Sequence, residues 1–329
     1  MEFILTALLI IVFFAILILG HEVGHFTAAK LLKLEVQEFG FGLPPKLIGK
    51  KWRGTEYSLN AIPFGGFVKV DAIEISSEKY MDVPAWKKTV VYSSGVVMNF
   101  VLAWFAFSVI FMVGTPKGVY ISAVLENSPA AEAGLKSGDK LNDFDSITPL
   151  VDLIGKSTGS ELALKVEREG KISEVRVIPT EGENGGRIGV ELVESGFPRE
   201  NFFKSLVSGA KSAGAFSLRI VNAFISMFRH GDFTGSTGPV GIFSAVQVAK
   251  DMGLPYFLQL LGVVSLNLMI VNIFPLPALD GGRLLFLLVE KIRKKPLNKK
   301  IISVVNSVSY ALLLLLMFIV TIRDIIRLF

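Results

Sequence analysis

The stretch "FFAILILGHEVGHF", Phe13–Phe26, joins an uncharged run directly to a cluster of ionisable side chains. The run begins upstream at Phe3 and carries no charge as far as Gly20. A helix of about 20 apolar residues crosses the hydrocarbon core of a bilayer. No basic segment precedes the run and no small-residue cleavage site follows it, which favours a retained span over a signal peptide. We therefore expect a first transmembrane helix in residues 1–30.

The composition of the whole chain is typical of a membrane protein. The chain has 329 residues, 51% of them hydrophobic, and its mean hydropathy is +0.55, well above the range of soluble domains. Three further uncharged runs are long enough to span a bilayer: Thr89–Pro116, Met252–Leu279 and Ile301–Ile322. The sequence therefore predicts a polytopic α-helical membrane protein with four transmembrane helices, in segments 1–30, 89–116, 251–290 and 301–325.

The distribution of charge predicts the orientation of these helices. Segment 30–88 carries ten basic and seven acidic side chains, and 291–300 carries six basic and no acidic ones. Segment 114–200 carries ten basic against fifteen acidic side chains. The positive-inside rule places segments 30–88 and 291–300 in the cytoplasm. With four spans, segment 114–200 and both termini are then expected outside the cytoplasm. The net charge of +5 is therefore an anchoring signal, and we expect no nucleic-acid partner.

Two segments between the spans have β-strand character. Segment 31–88 reads as a cytoplasmic loop with a membrane-associated β-hairpin, because "TEYSLNAI" and "FVKV" alternate around Pro63, Gly65 and Gly66. An ordinary surface hairpin and an edge that pairs with an extended substrate both fit this pattern. Segment 117–195 holds short alternating runs around "ENSPAAEAGLKSGDKL", which predicts a small inserted β-rich domain.

Segment 196–250 shows apolar residues at helical spacing with scattered Lys and Arg. This pattern predicts amphipathic helices. Helices that lie along the membrane interface and helices that pack onto the β-rich domain fit it equally well.

The pattern "HEVGH" indicates a metal site. On a helix, His21 and His25 share one face, so both imidazoles can reach one tetrahedral Zn²⁺, with Glu22 beside it to take a proton from the attacking water. The alternative is a histidine pair without a ligand. Ionisable residues at the end of a span are costly and usually functional, which favours the metal site. The chain contains no cysteine, so thiolate ligands and disulfides are excluded.

A third ligand is expected from "SLNLMIVNIFPLPALDGGRLLF". Asp280 follows an uncharged run, and two histidines with one carboxylate make a catalytic zinc site with an open position. Pro275 and Pro277 are expected to break the helix just before it. A helix N-cap is the alternative role for Asp280, and both roles can hold at once. The amides of Asn267 and Asn272 either bond between helices or contact substrate, and we favour substrate contact for Asn272.

"HEVGH" together with "NIFPLPALDGG" resembles the site-2 protease family of intramembrane zinc metalloproteases, in particular its bacterial RseP-type branch. "IPFGGFVKV" is similar to the membrane-associated β-loop of that branch, and "TGPVGIF" (Thr237–Phe243) to its segment ahead of the third span. "SPAAEAGLKSGDKL" resembles the start of a bacterial PDZ domain. Gly95 and Asn99 in "SSGVVMNF" match the family's second span, although the proline that usually follows the glycine is missing. Segment 117–195 has room for a single PDZ-like domain, and it lacks the "NG" turn that is usual after the Gly-Asp pair.

The resemblance implies a zinc-dependent endopeptidase that cleaves single-span membrane proteins within or near the membrane, such as anti-sigma factors or signal-peptide remnants. It implies Zn²⁺ as the cofactor, a bacterial inner-membrane location with the PDZ-like domain outside the cytoplasm, and a peptide or protein ligand of that domain. The site residues implied are the metal ligands His21, His25 and Asp280, the general base Glu22, and the substrate contacts Asn272, Asn267, Gly65, Gly66 and Phe67.

Two other classes of protein remain as alternatives. A metal transporter would also have a broken third helix, but it predicts inverted repeats, and the sequence shows none. A catalytically inactive membrane scaffold would be expected to have lost a ligand or the base, whereas His21, Glu22, His25 and Asp280 are all present.

Overall fold

Four long apolar helices confirm the polytopic membrane fold. The computed structural model describes residues 2–74, 77–168, 170–182, 185–231 and 238–326. Within them, four helices are long and apolar enough to cross a membrane. These are Thr6–Leu31 within α1 (Glu2–Leu31), α2 (Ala85–Val113), α7 (Leu254–Ile273) and α9 (Lys299–Ile326). The protein is therefore a multi-pass membrane protein.

Helix α1 runs without interruption through the "HEVGH" pattern to Leu31. Its end is set by the backbone of Lys33, which has a positive φ of 58°. The Leu34 amide donates to the Ala29 carbonyl at 2.9 Å and the Lys33 amide to the Lys30 carbonyl at 3.0 Å, the Schellman arrangement that satisfies the last carbonyls of a helix. Both histidines therefore lie on regular helix.

The third span is shorter than predicted. The uncharged run Met252–Leu279 contains only the helix Leu254–Ile273, because Gly253, with φ of 101°, separates it from α6 (Pro239–Met252). At the other end, Pro275 and Pro277 lack the amide hydrogens that would continue the helix. A tight turn follows, and α8 (Asp280–Arg293) then begins. The predicted break before Asp280 is confirmed.

The β-hairpin is longer than the sequence pattern indicates. Strand β1 (Glu38–Trp52) was not predicted, and the two runs expected to pair around Pro63, Gly65 and Gly66 instead lie in one strand, β2 (Thr55–Lys69). The two strands meet at a turn with positive φ at Arg53 and Gly54, which suits a tight hairpin. Residues 46–52 pair with 55–60, and residues 38–41 pair with 66–69 as well as with 56–59. No other described strand pairs with 66–69, so this segment forms an edge of the sheet.

The segment between α2 and α5 (Phe202–His230) is β-rich, as predicted. A five-stranded sheet has the order β6-β5-β4-β3-β9, and a small two-stranded sheet pairs β7 with β8. The strands are β3 (Thr115–Val124), β4 (Lys140–Leu141), β5 (Leu162–Arg168), β6 (Lys171–Val177), β7 (Thr180–Gly182), β8 (Gly185–Arg187) and β9 (Val190–Phe197). Two helices accompany them, the short α3 (Pro129–Glu132) and α4 (Ile147–Lys156), and α4 was not predicted from the sequence. We call residues 115–197 the β-rich module.

The chain divides into two compact units. One contains residues 1–106, 210–243 and 261–329, and the other contains 107–209 and 244–260. The amphipathic pattern of 196–250 corresponds to α5 (Phe202–His230) and α6, and their location at the membrane interface stays a prediction. Of the "TGPVGIF" segment, Thr237 lies outside the described residues.

Candidate metal centre

The structure brings His21, His25 and Asp280 to one point. Helix α1 places the two Nε2 atoms 3.2 Å apart. The Asp280 Oδ2 atom lies 3.2 Å from the His21 Nε2 and 3.1 Å from the His25 Nε2. His25 and Asp280 are buried. Among the described residues, this is the group of three His, Asp or Glu side chains close enough to share a metal ion.

The donor set and its spacing fit a zinc ion. Zinc lies about 2.0–2.2 Å from nitrogen and carboxylate ligands in tetrahedral sites, which separates the ligand atoms by about 3.3–3.6 Å. The three observed separations of 3.1–3.2 Å are close to this value. The Asp280 Oδ2 atom is also buried, and although two imidazole nitrogens lie beside it, it forms no hydrogen bond with them or with any other described residue. A buried carboxylate oxygen without a donor is expensive, and a cation at this point would remove that cost.

Gly95 on α2 allows the second span to pack directly against the two imidazoles. A Cβ atom at this position would lie 2.3 Å from the His25 Nε2 and 2.6 Å from the His21 Cε1. At Gly24, on the facing side of α1, a Cβ would lie 2.4 Å from the Ser94 carbonyl oxygen. The two helices therefore approach so closely that neither position has room for a methyl group.

Two further glycines position Asp280. A Cβ on Gly281 would lie 2.2 Å from the carbonyl oxygens of Ile273 and Phe274, and one on Gly282 would lie 2.2 Å from that of Leu276. The start of α8 can therefore fold directly against the turn that ends α7. The N-cap alternative for Asp280 is wrong, because Leu279 is the N-cap and Asp280 is the first helical residue. Its carboxylate is left free for the histidines.

The outer nitrogens of the two imidazoles have different neighbours. The His25 Nδ1 lies 2.7 Å from the Val91 carbonyl oxygen, to which it can only donate. The His21 Nδ1 lies 3.3 Å from the side-chain amide of Asn99. A hydrogen on Nδ1 leaves Nε2 with a lone pair, the form in which imidazole binds a metal. The contact to Val91 therefore fixes His25 in the metal-binding form.

Glu22 lies beside the three-residue group and outside it. Its carboxylate interacts electrostatically with His25, His21 and Asp280, but it is not among the side chains that share the central point. A Cβ on Gly66 would lie 2.9 Å from the Glu22 Cγ and 2.8 Å from the Ile18 Cγ2. The sheet edge of β2 therefore touches α1 at Glu22.

The predicted substrate contacts lie in two places. Gly65, Gly66 and Phe67 are in β2, where Gly66 meets α1 and Gly65 has a φ of 97°. Asn267 donates to the Val263 carbonyl of its own helix at 3.1 Å, and within the described residues no bond from it to another helix is found. Asn272 lies half-buried one residue before the end of α7. The substrate roles of all five residues stay predictions.

Several neighbours of the centre were not assigned a role from sequence. Gly95 and Asn99 were identified only as matches to a family pattern, and Val91 was not identified at all. The spacing of Val91, Gly95 and Asn99, four residues apart on α2, places them on one helix face. Helical spacing alone does not show which other helix this face packs against, so the sequence could not show that it contacts the histidines of α1.

Comparison with known proteins identifies the family. Residues 9–316 match the family model described as Peptidase family M50. The chain is 34% identical over 330 residues to a Clostridium perfringens protein named "Putative zinc metalloprotease", with 95% of this chain and 96% of that one covered. It is 26% identical over 423 residues to the Regulator of sigma-W protease RasP of Bacillus subtilis, with 99% and 100% covered. It is 30% identical over 311 residues to the chloroplastic membrane metalloprotease ARASP of Arabidopsis thaliana, with 84% and 69% covered. Since the family match takes in both segments that build the centre, the chain belongs to peptidase family M50, the site-2 protease family of membrane zinc metalloproteases.

Proposed function

We propose that His21, His25 and Asp280 hold the zinc ion of this metalloprotease and that Glu22 is its general base. The observation that carries the proposal is the triangle of two Nε2 atoms and one carboxylate oxygen, with sides of 3.1–3.2 Å. Three protein ligands leave the fourth tetrahedral position open for reaction. When bound, zinc supplies a Lewis acid that polarises the peptide carbonyl and makes water a nucleophile at neutral pH.

The roles of the protein groups follow from their places around that point. Glu22 is close enough to the cluster to interact with it electrostatically but is not part of the triangle. A carboxylate in that position can take the proton of the attacking water and pass it to the leaving amine. The buried Asp280 carboxylate balances part of the charge of the ion. The close contacts at Gly95 and Gly24 bring α2 against α1 beside the imidazoles and so limit the space in which the two rings can move.

The free edge of β2 is the proposed binding site for the substrate chain. A substrate helix conceals its peptide bonds in its own hydrogen bonds, so it must be unwound locally before cleavage. Residues 66–69 have no strand partner on one side among the described residues, and Gly66 lies against Glu22. An extended substrate segment paired with this edge by strand addition would lie beside the base. The amides of Asn272 and, secondarily, Asn267 are proposed to bond to the same backbone.

Single-span membrane proteins are the proposed substrates, in a bacterial inner membrane. The relative named Regulator of sigma-W protease supports a role in regulated intramembrane proteolysis, with an anti-sigma factor as one substrate class and signal-peptide remnants as another. Family membership favours this proposal over a metal transporter. The presence of all four chemistry-bearing residues favours it over an inactive scaffold.

The β-rich module is proposed to lie outside the cytoplasm and to be a PDZ-like domain that binds a peptide or protein ligand. The acidic balance of 114–200 against the basic 291–300 supports this orientation. Reporter fusions at Gly170 and Lys295 test it, and a cytoplasmic signal at Gly170 would overturn it.

Cleavage of a model single-span substrate by the wild type and by Glu22→Gln tests the proposed function. A neutral amide cannot accept the proton of water, so turnover should fall by about 10²- to 10⁴-fold, the usual contribution of a general base. The bound zinc should be unchanged, because Glu22 is not a ligand. A Glu22→Gln enzyme with wild-type turnover would exclude Glu22 as the base, and an inactive wild type that binds zinc would favour the scaffold.

A further inference from the structure

Asn99 is placed to control the second imidazole of the centre. It is fully buried on α2, and its side-chain Nδ2 lies 3.3 Å from the His21 Nδ1. The backbone around it is fixed as well, since the Ser265 hydroxyl on α7 donates to the Asn99 carbonyl at 2.8 Å. The amide therefore lies at a defined position behind the imidazole, on the side away from the proposed metal.

The orientation of this amide has a chemical consequence. With Nδ2 toward His21, the imidazole Nδ1 has to accept, and the hydrogen of the ring is then on Nε2, between His25 and Asp280. In the same orientation the Asn99 Oδ1 atom is buried with no donor among the described residues. Oxygen and nitrogen of an amide are assigned from the hydrogen-bond network alone. A rotation of the amide by 180° would bring Oδ1 to the His21 Nδ1 and give this buried oxygen a donor.

The two histidines are then held by equivalent contacts. The Val91 carbonyl oxygen accepts from the His25 Nδ1 at 2.7 Å, and the Asn99 Oδ1 in the rotated amide would accept from the His21 Nδ1. Metal-binding histidines in general donate their outer N–H to an acceptor, which fixes the ring and makes the inner nitrogen a better ligand. His25 has a backbone acceptor that substitution cannot remove, whereas His21 depends on a side chain.

We infer that Asn99 is a positioning residue whose amide oxygen accepts a hydrogen bond from the His21 Nδ1 and so keeps the His21 Nε2 free for the metal. This inference rests on the proposed role of His21 as a zinc ligand. It adds a residue outside the ligand set on which the affinity for zinc depends. The amide is aimed at the imidazole, so it acts on the proposed metal site through His21.

Zinc affinity in chelator competition, measured on the full-length protein in detergent, tests the inference with two substitutions at one position. Asn99→Leu keeps the size of the side chain and removes the acceptor, and it should weaken zinc binding by about 10- to 100-fold. Asn99→Asp restores an acceptor and should bind zinc at least as tightly as the wild type. Thr89→Ala is the control, because it removes an exposed side-chain hydrogen bond of the same helix, to the Ala85 carbonyl, and leaves Asn99 and its neighbours unchanged; its affinity should stay within about twofold of the wild type.

Each outcome has a defined meaning. Wild-type affinity in Asn99→Leu, or equal losses in the Leu and Asp variants, would overturn the inference, whereas a wild type without zinc would overturn the proposed metal site itself. If Asn99→Leu does not fold, ¹⁵N-histidine NMR of the metal-free wild type decides. The chain has only three histidines, so the His21 signals can be assigned with His21→Ala. A hydrogen on the His21 Nδ1 is expected, and a bare Nδ1 would contradict the inference.

Discussion

The metal centre and the β-rich module are stabilised in opposite ways. The module has an ordinary apolar core, in which Val119, Ile121 and Leu164 are at most 1% exposed. The metal centre is built from ionisable side chains, a buried amide and glycines that leave no space for a methyl group. Trimming a core side chain leaves a cavity that the surroundings partly tolerate. Adding one carbon at the centre would displace the proposed ligand atoms, so this region should be the less tolerant of the two.

Gly95→Ala should give the largest effect of the substitutions that test this comparison. The new Cβ would lie 2.3 Å from the His25 Nε2, so the imidazoles or helix α2 must move. A displacement of about 1 Å at a reacting site costs about 10²-fold in rate, and we expect a loss of at least this size in cleavage together with a loss of bound zinc.

Gly155→Ala is the matched control for Gly95→Ala. Gly155 lies on α4 in the β-rich module, and a Cβ there meets no atom within 4 Å. Zinc content and cleavage by this variant should equal those of the wild type. If both variants retain zinc and activity, the close contact between α2 and the histidines does not constrain the centre, and the contrast between the two regions fails.

Leu164→Ala should give a smaller and local effect. Leu164 lies on β5 in the core of the module, and truncation of a buried leucine costs about 2–5 kcal/mol. Hydrogen exchange followed by mass spectrometry should show faster exchange within residues 115–197 and unchanged exchange in the buried part of α1. Zinc content should be unchanged. A loss of zinc in this variant would show that the module and the centre depend on each other for their stability.

Much of the membrane fold could be predicted from sequence because the bilayer imposes long uncharged runs. The four spans, the break before Asp280 and the β-rich segment were all predicted and found. The helical spacing of His21 and His25 likewise required their side chains to share a face. Each of these features is local, or is imposed by a solvent that acts on every residue in the same way.

The parts that could not be predicted depend on which helix faces meet. Nothing in the spacing of Val91, Gly95 and Asn99 shows that they face α1, because the contact is determined by packing between distant segments. Strand β1 was missed since its glycines and prolines weaken the alternation, yet it pairs with β2 over most of its length. Helix α4 was missed because its amphipathic run is short, although Ser146 before it is of a residue type that commonly starts a helix. Its N-cap residue, Ser146, makes no side-chain capping bond.

The zinc content of purified Asp280→Asn, measured beside His230→Ala, tests the central claim most directly. His230 is the third histidine of the chain, exposed at the end of α5, so its removal controls for non-specific binding by imidazole. A neutral amide is a poor substitute for a carboxylate ligand. We predict about one zinc per protein in the wild type and in His230→Ala, and a marked loss in Asp280→Asn. Full zinc retention in Asp280→Asn would show that this carboxylate is not a ligand and would contradict the metal centre described above.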